Sequence, residues 1–193
     1  AVEVPESLGA VHMNPVAPDG GVMPAFYRDR YAQWVKRSLS SDGGLTWSAP
    51  KPTDLPNNNS SVQATRLADG RIAMVLNPIS AAQSDARRAS LYDEIPDESG
   101  EKADVRAVTA GPKAIWGVPR APMTLALSSD NGVSFPVRID LDRGTGHALS
   151  NNSAEGVNRE LSYPSILQDS EGRLHIAYTY HRRAIRYVRI DCP

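Results

Sequence analysis

The sequence of 193 residues has one cysteine, no long apolar run and no excess of either charge. The single cysteine, Cys192, excludes an internal disulfide framework and a cysteine-rich metal site. No apolar stretch is long enough to cross a bilayer as a helix. Lys and Arg number 21 against 22 acids, so no basic field favours nucleic acid or a membrane surface. We therefore expect neither a nucleic-acid partner nor a membrane span, although a few buried arginines suffice to bind one carboxylate.

The sequence also has no long segment with a helical period. The best helical candidate, residues 81–92, is short. Instead, 15 prolines and 14 glycines are scattered between short apolar runs, a pattern typical of many short strands joined by turns. The composition therefore predicts an all-β fold, in one domain or in part of a larger one.

A hairpin pattern occurs three times along the chain. The three copies are residues 16–26, 65–75 and 167–178. Each consists of a strand, an acidic turn with a glycine, and a second apolar strand, because a tight hairpin turn needs a residue with positive φ. Gly20 and Gly70 lie 50 residues apart, close to the roughly 40–50 residues of one propeller blade. The repeat therefore predicts propeller blades.

A second motif, S-x-D-x-G-x-[ST]-aromatic, follows two of these hairpins and is known as an Asp box. Its aspartate is expected to accept backbone N–H bonds within a turn, its glycine to adopt the left-handed conformation and its aromatic ring to pack beneath the blade. We expect these residues to be structural and to lie at the outer rim, away from the propeller axis. They are Ser40, Asp42, Gly44, Trp47, Ser128, Asp130, Gly132 and Phe135.

These repeats predict about three four-stranded antiparallel blades, half of a six-bladed ring. The expected blades are residues 9–56, 57–143 and 157–193, with an inserted loop near 85–119. The charged run 93–102 within the insertion favours a solvated loop over a metal site. Propellers close with typically 4–8 blades, so three blades leave exposed sheet edges. Either an N-terminal half is absent or two copies complete the ring; we favour the first, with a homodimer through the open edges as a consequence.

The Asp boxes and the stretch 163–178 resemble the C-terminal half of bacterial sialidases (neuraminidases) and of sialidase-like BNR-repeat proteins. The resemblance extends from about Val11 to Arg189. It implies a sialidase-type β-propeller and a glycoside hydrolase acting on an acidic sugar such as sialic acid, with no metal or organic cofactor. In that family three arginines bind the sugar carboxylate, an aspartate is the acid/base, and a tyrosine paired with a glutamate is the nucleophile.

The resemblance places substrate-binding and catalytic roles on individual residues. Arg28 matches the second family arginine and Arg120 the third, with Arg88 as the competitor for the third position. Tyr163 matches the nucleophile. For Arg28 a solvent-exposed or salt-bridged arginine is the alternative, and for Tyr163, simple packing of the ring at the start of a strand. Arg120 is expected on a loop beside two prolines.

The partner of the tyrosine departs from the family pattern. His12 lies near the position where the family has its glutamate, and Glu160 is the other candidate, although it follows Arg159 and can instead neutralise that residue. The first family arginine and the acid/base aspartate have no counterpart in this sequence. We therefore expect an incomplete, partly altered site that is inactive in this chain alone.

Two asparagine-rich stretches, 57–61 and 150–153, precede the first strand of a blade. Their amides suit the recognition of sugar hydroxyls, with Asn59 and Asn152 as candidates, and ordinary turn formation is the alternative. Arg182, near the C-terminus, is a further candidate for an arginine that faces the axis.

Two other functions are compatible with the same residues. Elimination from a uronate-containing polysaccharide would use arginines to neutralise the carboxylate, and Tyr163 and His12 to move protons. The third alternative is a carbohydrate-binding propeller without catalysis, because a fold does not define a reaction.

Overall fold

The computed structural model describes residues 1–87, 113–149 and 158–191. Arg88, Asn152 and the charged run 93–102 lie outside these ranges. Within them, antiparallel strands form three separate sheets, as the all-β propeller prediction requires. Of the helical candidate 81–92, only Ala81–Gln83 is helical among the described residues, as one 3₁₀ turn.

Two of the sheets have the four strands that were predicted, each following the chain in simple up-and-down order. Blade 1 comprises β1 (Ala10–Pro15), β2 (Met23–Asp29), β3 (Trp34–Ser40) and β4 (Lys51–Pro56). Blade 2 comprises β5 (Gln63–Arg66), β6 (Ile72–Leu76), β7 (Met123–Ser128) and β8 (Val137–Asp142). The insertion connects β6 to β7.

The third sheet, blade 3, has three strands over the described residues instead of four. They are β9 (Leu161–Gln168), β10 (Arg173–Tyr180) and β11 (Ala184–Asp191). The hairpin turns that join the first two strands of blades 2 and 3 contain Gly70 at φ 90° and Gly172 at φ 83°. This is the left-handed conformation that the hairpin pattern requires.

The blades pack face to face, and blade 2 lies between the other two. On β6, Ile72, Met74 and Leu76 belong to the core shared with blade 1, whereas Ala73 and Val75 belong to the core shared with blade 3. Because successive side chains of a strand point to opposite faces, a strand covered on both sides is apolar at every position. This explains the uninterrupted apolar sequence of β6, all of which is buried.

Both Asp-box turns are closed by their own side chains. In the first, Gly44 N–H donates to Ser40 Oγ at 2.9 Å and Thr46 Oγ1 donates to Asp42 Oδ2 at 2.6 Å. In the second, Gly132 N–H donates to Ser128 Oγ at 2.9 Å, and Ser134 Oγ donates to Asp130 Oδ2 at 2.6 Å. Hydrogen bonds from Thr46 hold the pKa of Asp42 at about 2.

The second Asp-box turn also joins two blades. Phe135 is fully buried and its ring meets that of Phe26 in blade 1 edge to face, at a centroid distance of 6.0 Å. Arg37 of blade 1 donates to the carbonyl of Asn131 at 3.0 Å. A Cβ at Gly132 would lie only 2.3 Å from the Phe26 ring, so the turn requires glycine for space as well as for φ. Within the part of the chain that the structure describes, no helix is long and apolar enough to span a membrane.

Candidate functional site

Three residues with left-handed backbone conformation lie at or just before the first strand of their blades. They are His12 at φ 55°, Asn59 at φ 59° and Tyr163 at φ 52°. The strand pairing shifts register next to His12, between Val11 and Asn14, and a second shift lies opposite Tyr163. Positive φ is uncommon for residues other than glycine, and such strain clusters at active sites and ligand clamps. Each blade therefore has a residue with positive φ at or near its first strand, and each of these three is a predicted site residue.

Arg28 lies beside this position on β2, where it pairs with Val11 of β1. The half-buried guanidinium donates from Nη1 to the carbonyl of Asn59 at 3.0 Å, while its Nε is buried and has no hydrogen-bond partner among the described residues. Burial lowers the pKa of Arg28, the positive charge of Arg120 lowers it further, and Tyr163 opposes these effects. Arg28 of blade 1 is thus within electrostatic range of predicted site residues from the other two blades.

Arg120 and Arg182 share one carboxylate. Glu160 is 1% exposed, and its Oε1 accepts from Arg120 Nη1 at 3.1 Å, from Arg182 Nε at 3.0 Å and from Ser162 Oγ at 3.1 Å. This carboxylate was a candidate partner for Tyr163. The structure places it in a buried ion-pair network that fixes the two arginines, and Arg120 and Glu160 are also connected by an isolated β-bridge.

Tyr163 is exposed and lies against one of these arginines. Its side chain is 60% accessible, and the guanidinium carbon of Arg120 lies 5.5 Å from the ring centroid, within cation–π range. Simple packing at a strand start, the alternative considered for Tyr163, does not describe an aromatic ring that remains mostly accessible.

His12 is also exposed. Partial burial lowers its pKa from 6.5, and the charge of Arg28 lowers it further. Both effects favour the neutral imidazole, which is the form that accepts a proton.

The three asparagines of the loop 57–61 differ in the hydrogen bonds that their side chains make. Asn57 Oδ1 accepts the backbone N–H groups of Asp29 and Asn59 at 2.9 and 3.0 Å, so Asn57 has the turn-forming role. Asn58 Nδ2 donates to the Pro119 carbonyl at 2.8 Å. Asn59, in contrast, is 2% exposed, and within the part of the chain that the structure describes its Oδ1 has no hydrogen-bond partner.

A segment at the end of the insertion, residues 113–119, packs against this loop. Ile115 N–H donates to the Arg30 carbonyl at 3.0 Å, and the Ile115 carbonyl accepts from Asn59 Nδ2 at 2.9 Å. Trp116, next to it, is 58% exposed. The segment thereby contributes to a cleft of about 160 Å³, which is lined by Val11, Arg28, Arg30, Asn59 and Trp116.

Trp116 was absent from the sequence prediction because the insertion has no repeat pattern to align. Its position four residues before Arg120 was the available signal. The other predicted residues within the described ranges are grouped through the contacts above, whereas the second Asp-box turn lies against Phe26, Arg37 and Arg66.

Stacked antiparallel blades of this kind define a β-propeller of the sialidase type. Residues 1–176 match the family described as BNR repeat-like domain, and the chain belongs to that family. No curated protein matches the sequence.

Several solved structures share the fold. A structure titled "Sialidase" is 19% identical with a TM-score of 0.55, and the match covers 94% of this chain and 13% of that one. The Hadza microbial sialidase Hz136 is 16% identical with a TM-score of 0.56, and the match covers 95% of this chain and 28% of that one. The intramolecular trans-sialidase from Ruminococcus gnavus, in complex with oseltamivir carboxylate, is 14% identical with a TM-score of 0.56. That match covers 98% of this chain and 35% of the trans-sialidase. The chain thus spans a third or less of the length of two of these structures and 35% of the third.

Proposed function

We propose that this chain is part of a sialidase-like glycoside hydrolase that acts on an acidic sugar such as sialic acid. The observation that carries the proposal is a group of three arginines from different parts of the chain: Arg120 and Arg182 share the buried carboxylate of Glu160, and Arg28 is within electrostatic range of Arg120. Partly buried arginines bind carboxylates strongly, because the low dielectric constant increases the attraction. The family membership and the sialidase neighbours agree with this substrate class.

In the proposed hydrolysis, Arg28 and Arg120 bind the sugar carboxylate and orient the anomeric carbon towards Tyr163. The phenol oxygen attacks that carbon as its proton passes to a general base, and the bond to the leaving oxygen breaks as that oxygen takes a proton from the acid/base aspartate of the complete propeller. Water then attacks the same carbon, the bond to the phenol oxygen breaks, and the free sugar and the tyrosine are released. A neutral phenol suits attack beside an anionic substrate, since a carboxylate nucleophile would be repelled. Three donors occupy Glu160 Oε1, so we assign the base role to His12.

Elimination from a uronate is the second candidate, and the neutral state of His12 favours it. The arginines neutralise the uronate carboxylate and thereby acidify the adjacent C–H bond. His12 removes that proton, a C=C double bond forms, and the bond to the leaving oxygen breaks as Tyr163 donates a proton to it.

One pair of assays separates the two reactions. Hydrolysis releases the fluorophore of a fluorogenic sialoside, whereas elimination gives an unsaturated uronate with ultraviolet absorbance. Both assays use the complete propeller, because this chain alone is expected to lack part of the site, and compare it with its Tyr163→Phe variant, because each mechanism needs the phenol. Binding of sialosides or uronates by the complete propeller without turnover in either assay would instead indicate a carbohydrate-binding propeller.

The chain is small beside the sialidases that it resembles, so we propose that further blades supply the first family arginine and the acid/base aspartate. The present chain alone is then expected not to hydrolyse a sialoside. Turnover by a verified monomer of these 193 residues would contradict this.

We also propose that the open side of blade 3 associates with a second copy when no further blade covers it. Leu167, Ile185 and Tyr187 are large, exposed apolar residues there, and exposed apolar surface of this kind favours association. Light scattering over a concentration series tests this, with Tyr187→Arg expected to keep the chain monomeric.

A further inference from the structure

The hairpin turn between β10 and β11 has a strained backbone. His181 and Arg182, its two central residues, have φ 49° and 54°, and Arg183 N–H closes the turn by donating to the Tyr180 carbonyl at 3.0 Å. Positive φ at both central positions is the geometry of a type I′ turn, which favours Asn-Gly. Such strain persists only where the surrounding structure holds it, so the contacts of these two side chains matter.

The contact of Arg182 belongs to the group of arginines already described. Arg182 Nε donates to Glu160 Oε1 at 3.0 Å, and the same carboxylate oxygen accepts from Arg120. A side chain at the centre of a short turn reaches only what lies beside that turn. The position of Arg182 therefore depends on how the turn is held against the segment that carries Glu160.

His181 attaches the turn to this segment. It is 1% exposed, and its backbone N–H donates to the Glu160 carbonyl at 2.8 Å, while its ring Nδ1 accepts from the Glu160 N–H in a longer contact of 3.5 Å. Its own carbonyl accepts from Leu149 N–H at 2.8 Å. A Cβ at Gly146 would lie 3.1 Å from the imidazole, so the ring packs closely against the backbone of the loop 143–149.

The contact at Nδ1 requires the neutral imidazole. Nδ1 faces a backbone donor, which assigns the ring proton to Nε2. Nε2 is buried and has no hydrogen-bond partner among the described residues. A second proton would bind at Nδ1, where it would face the N–H of Glu160. Protonation of His181 thus replaces an attraction by a repulsion between two donors, and it places a charge in a buried position.

Charged and titratable groups surround His181 on every element packed against it. They are Asp142 of β8, His147 of the loop 143–149, the ion pair of Glu160 with Arg182, Arg183 of the turn, and Tyr180 and Arg186 of the two strands. Burial lowers the pKa of His181 from 6.5 and outweighs the carboxylate of Asp142, which acts in the opposite direction. The positive charges of Arg183, His147 and Arg186 add to the effect of burial.

We propose that His181 is an acid-sensitive positioning residue: the neutral imidazole holds the β10–β11 turn against Glu160, and its protonation releases the turn and, with it, the contact of Arg182 with Glu160. Acid thereby removes one of the three arginine charges from the site. The inference goes beyond the proposed function, because it concerns how the arginines are held and does not depend on which ligand they bind.

Nitrogen-15 NMR of the imidazole rings in the 193-residue chain tests the protonation state, with His181→Asn identifying the signal. We expect the Nε2–H tautomer of His181 at mildly alkaline pH and a titration midpoint below pH 6.5. The Glu160 amide and the Arg182 Nε–H signals are expected to shift with the same midpoint. The Nδ1–H tautomer, a midpoint at or above 6.5, or Arg182 signals that do not follow His181 would overturn the proposal.

Two variants separate the acceptor from the ring. His181→Asn keeps an acceptor near the place of Nδ1 and suits positive φ, but does not titrate. His181→Phe keeps a planar ring without an acceptor. At neutral pH we expect the melting temperature of His181→Phe to lie about 3 °C or more below that of His181→Asn. Equal melting temperatures would show that the ring fills space and that its nitrogen does not position the turn.

The pH dependence of the melting temperature gives the second comparison. Because the pKa of His181 is lowered in the folded state, its contribution to stability is complete above the unfolded value of 6.5 and is lost as the pH falls below it. His181→Asn is expected to show a smaller loss over this range than the unmodified chain. His147→Asn, at a partly exposed histidine of the neighbouring loop, is the matched control and is expected to keep the loss. Equal losses in His181→Asn and the unmodified chain would overturn the proposal. None of these measurements requires a sugar, so a failure of the proposed function would leave them unchanged.

Discussion

Arg28 donates a 3.0 Å hydrogen bond to the backbone carbonyl of Asn59, and this bond joins a strand of blade 1 to the loop that enters blade 2. Because the acceptor is a backbone atom, its position depends on the fold of the loop and not on the side chain at residue 59. One cation of the proposed site is thus held by the blade framework.

Replacement of this arginine tests its role in binding. Arg28→Lys keeps the charge but loses the planar guanidinium that binds a carboxylate through two hydrogen bonds. We expect at least a tenfold loss of affinity for the acidic sugar, measured by calorimetry, with an unchanged melting temperature. Arg71→Lys, in the exposed ion pair with Asp69, is the control. Equal affinity in the two variants would remove Arg28 from the binding site.

The pKa of His12 gives a prediction for the pH dependence of catalysis. Partial burial and Arg28 lower that pKa below 6.5, so the neutral base persists to lower pH than for a free histidine. In the complete propeller, the acidic limb of the kcat/KM profile is therefore expected below pH 6.5. His12→Gln is expected to lose both this limb and most of the activity. An unchanged limb in that variant would assign the base to another group.

Glu160 is expected to matter for stability through its two arginines. Glu160→Gln leaves Arg120 and Arg182 without their shared anion, and removal of one partner from a buried ion pair typically costs about 3–5 kcal/mol. Glu171→Gln, in an exposed pair with Arg173, is the control and should cost at most about 1 kcal/mol. Denaturant unfolding measures both. Similar losses of unfolding free energy in the two variants would show that the buried ion pairs of Glu160 contribute no more to stability than an exposed pair.

The contact between Gly132 and Phe26 leads to a test of blade packing. Gly132→Ala places a methyl group 2.3 Å from the buried Phe26 ring, and we expect the free energy of unfolding to fall by about 3 kcal/mol. Gly44→Ala, at the same Asp-box position with φ 92°, would meet only ordinary contact with Trp47 at 3.6 Å. It should cost about 1 kcal/mol, from the backbone alone.

The Asp-box carboxylates predict how stability changes in acid. Burial raises the pKa of Asp130, but hydrogen bonds from Ser134 and Ser128 outweigh it, and the pKa is about 2, as for Asp42. A lowered folded-state pKa contributes stability above the unfolded value of 3.8 that is lost as the pH falls through about 2. Thermal melts of Asp130→Asn should therefore show a lower melting temperature at neutral pH and a shallower decrease on acidification. Parallel curves for the two proteins would contradict this.

Much of the fold was predictable because its signals are local. A turn glycine, an Asp box or an apolar β6 depends on neighbours a few residues away, and each copy of the repeat reinforces the others. The insertion has no second copy, so the position of Trp116 could not be predicted. The sequence also did not predict that Arg120 and Arg182 share the carboxylate of Glu160, because the two arginines approach it from distant points in the sequence.

The segment 113–119 is tethered to the blades through backbone carbonyls and asparagine amides, so the exposed side chains of Lys113 and Trp116 can change without disturbing a core. The wall that it contributes to the cleft is therefore replaceable, unlike the strands that carry Arg28 and Tyr163. Exchange of this short segment would change the shape of the cleft, with the propeller and its arginines left intact.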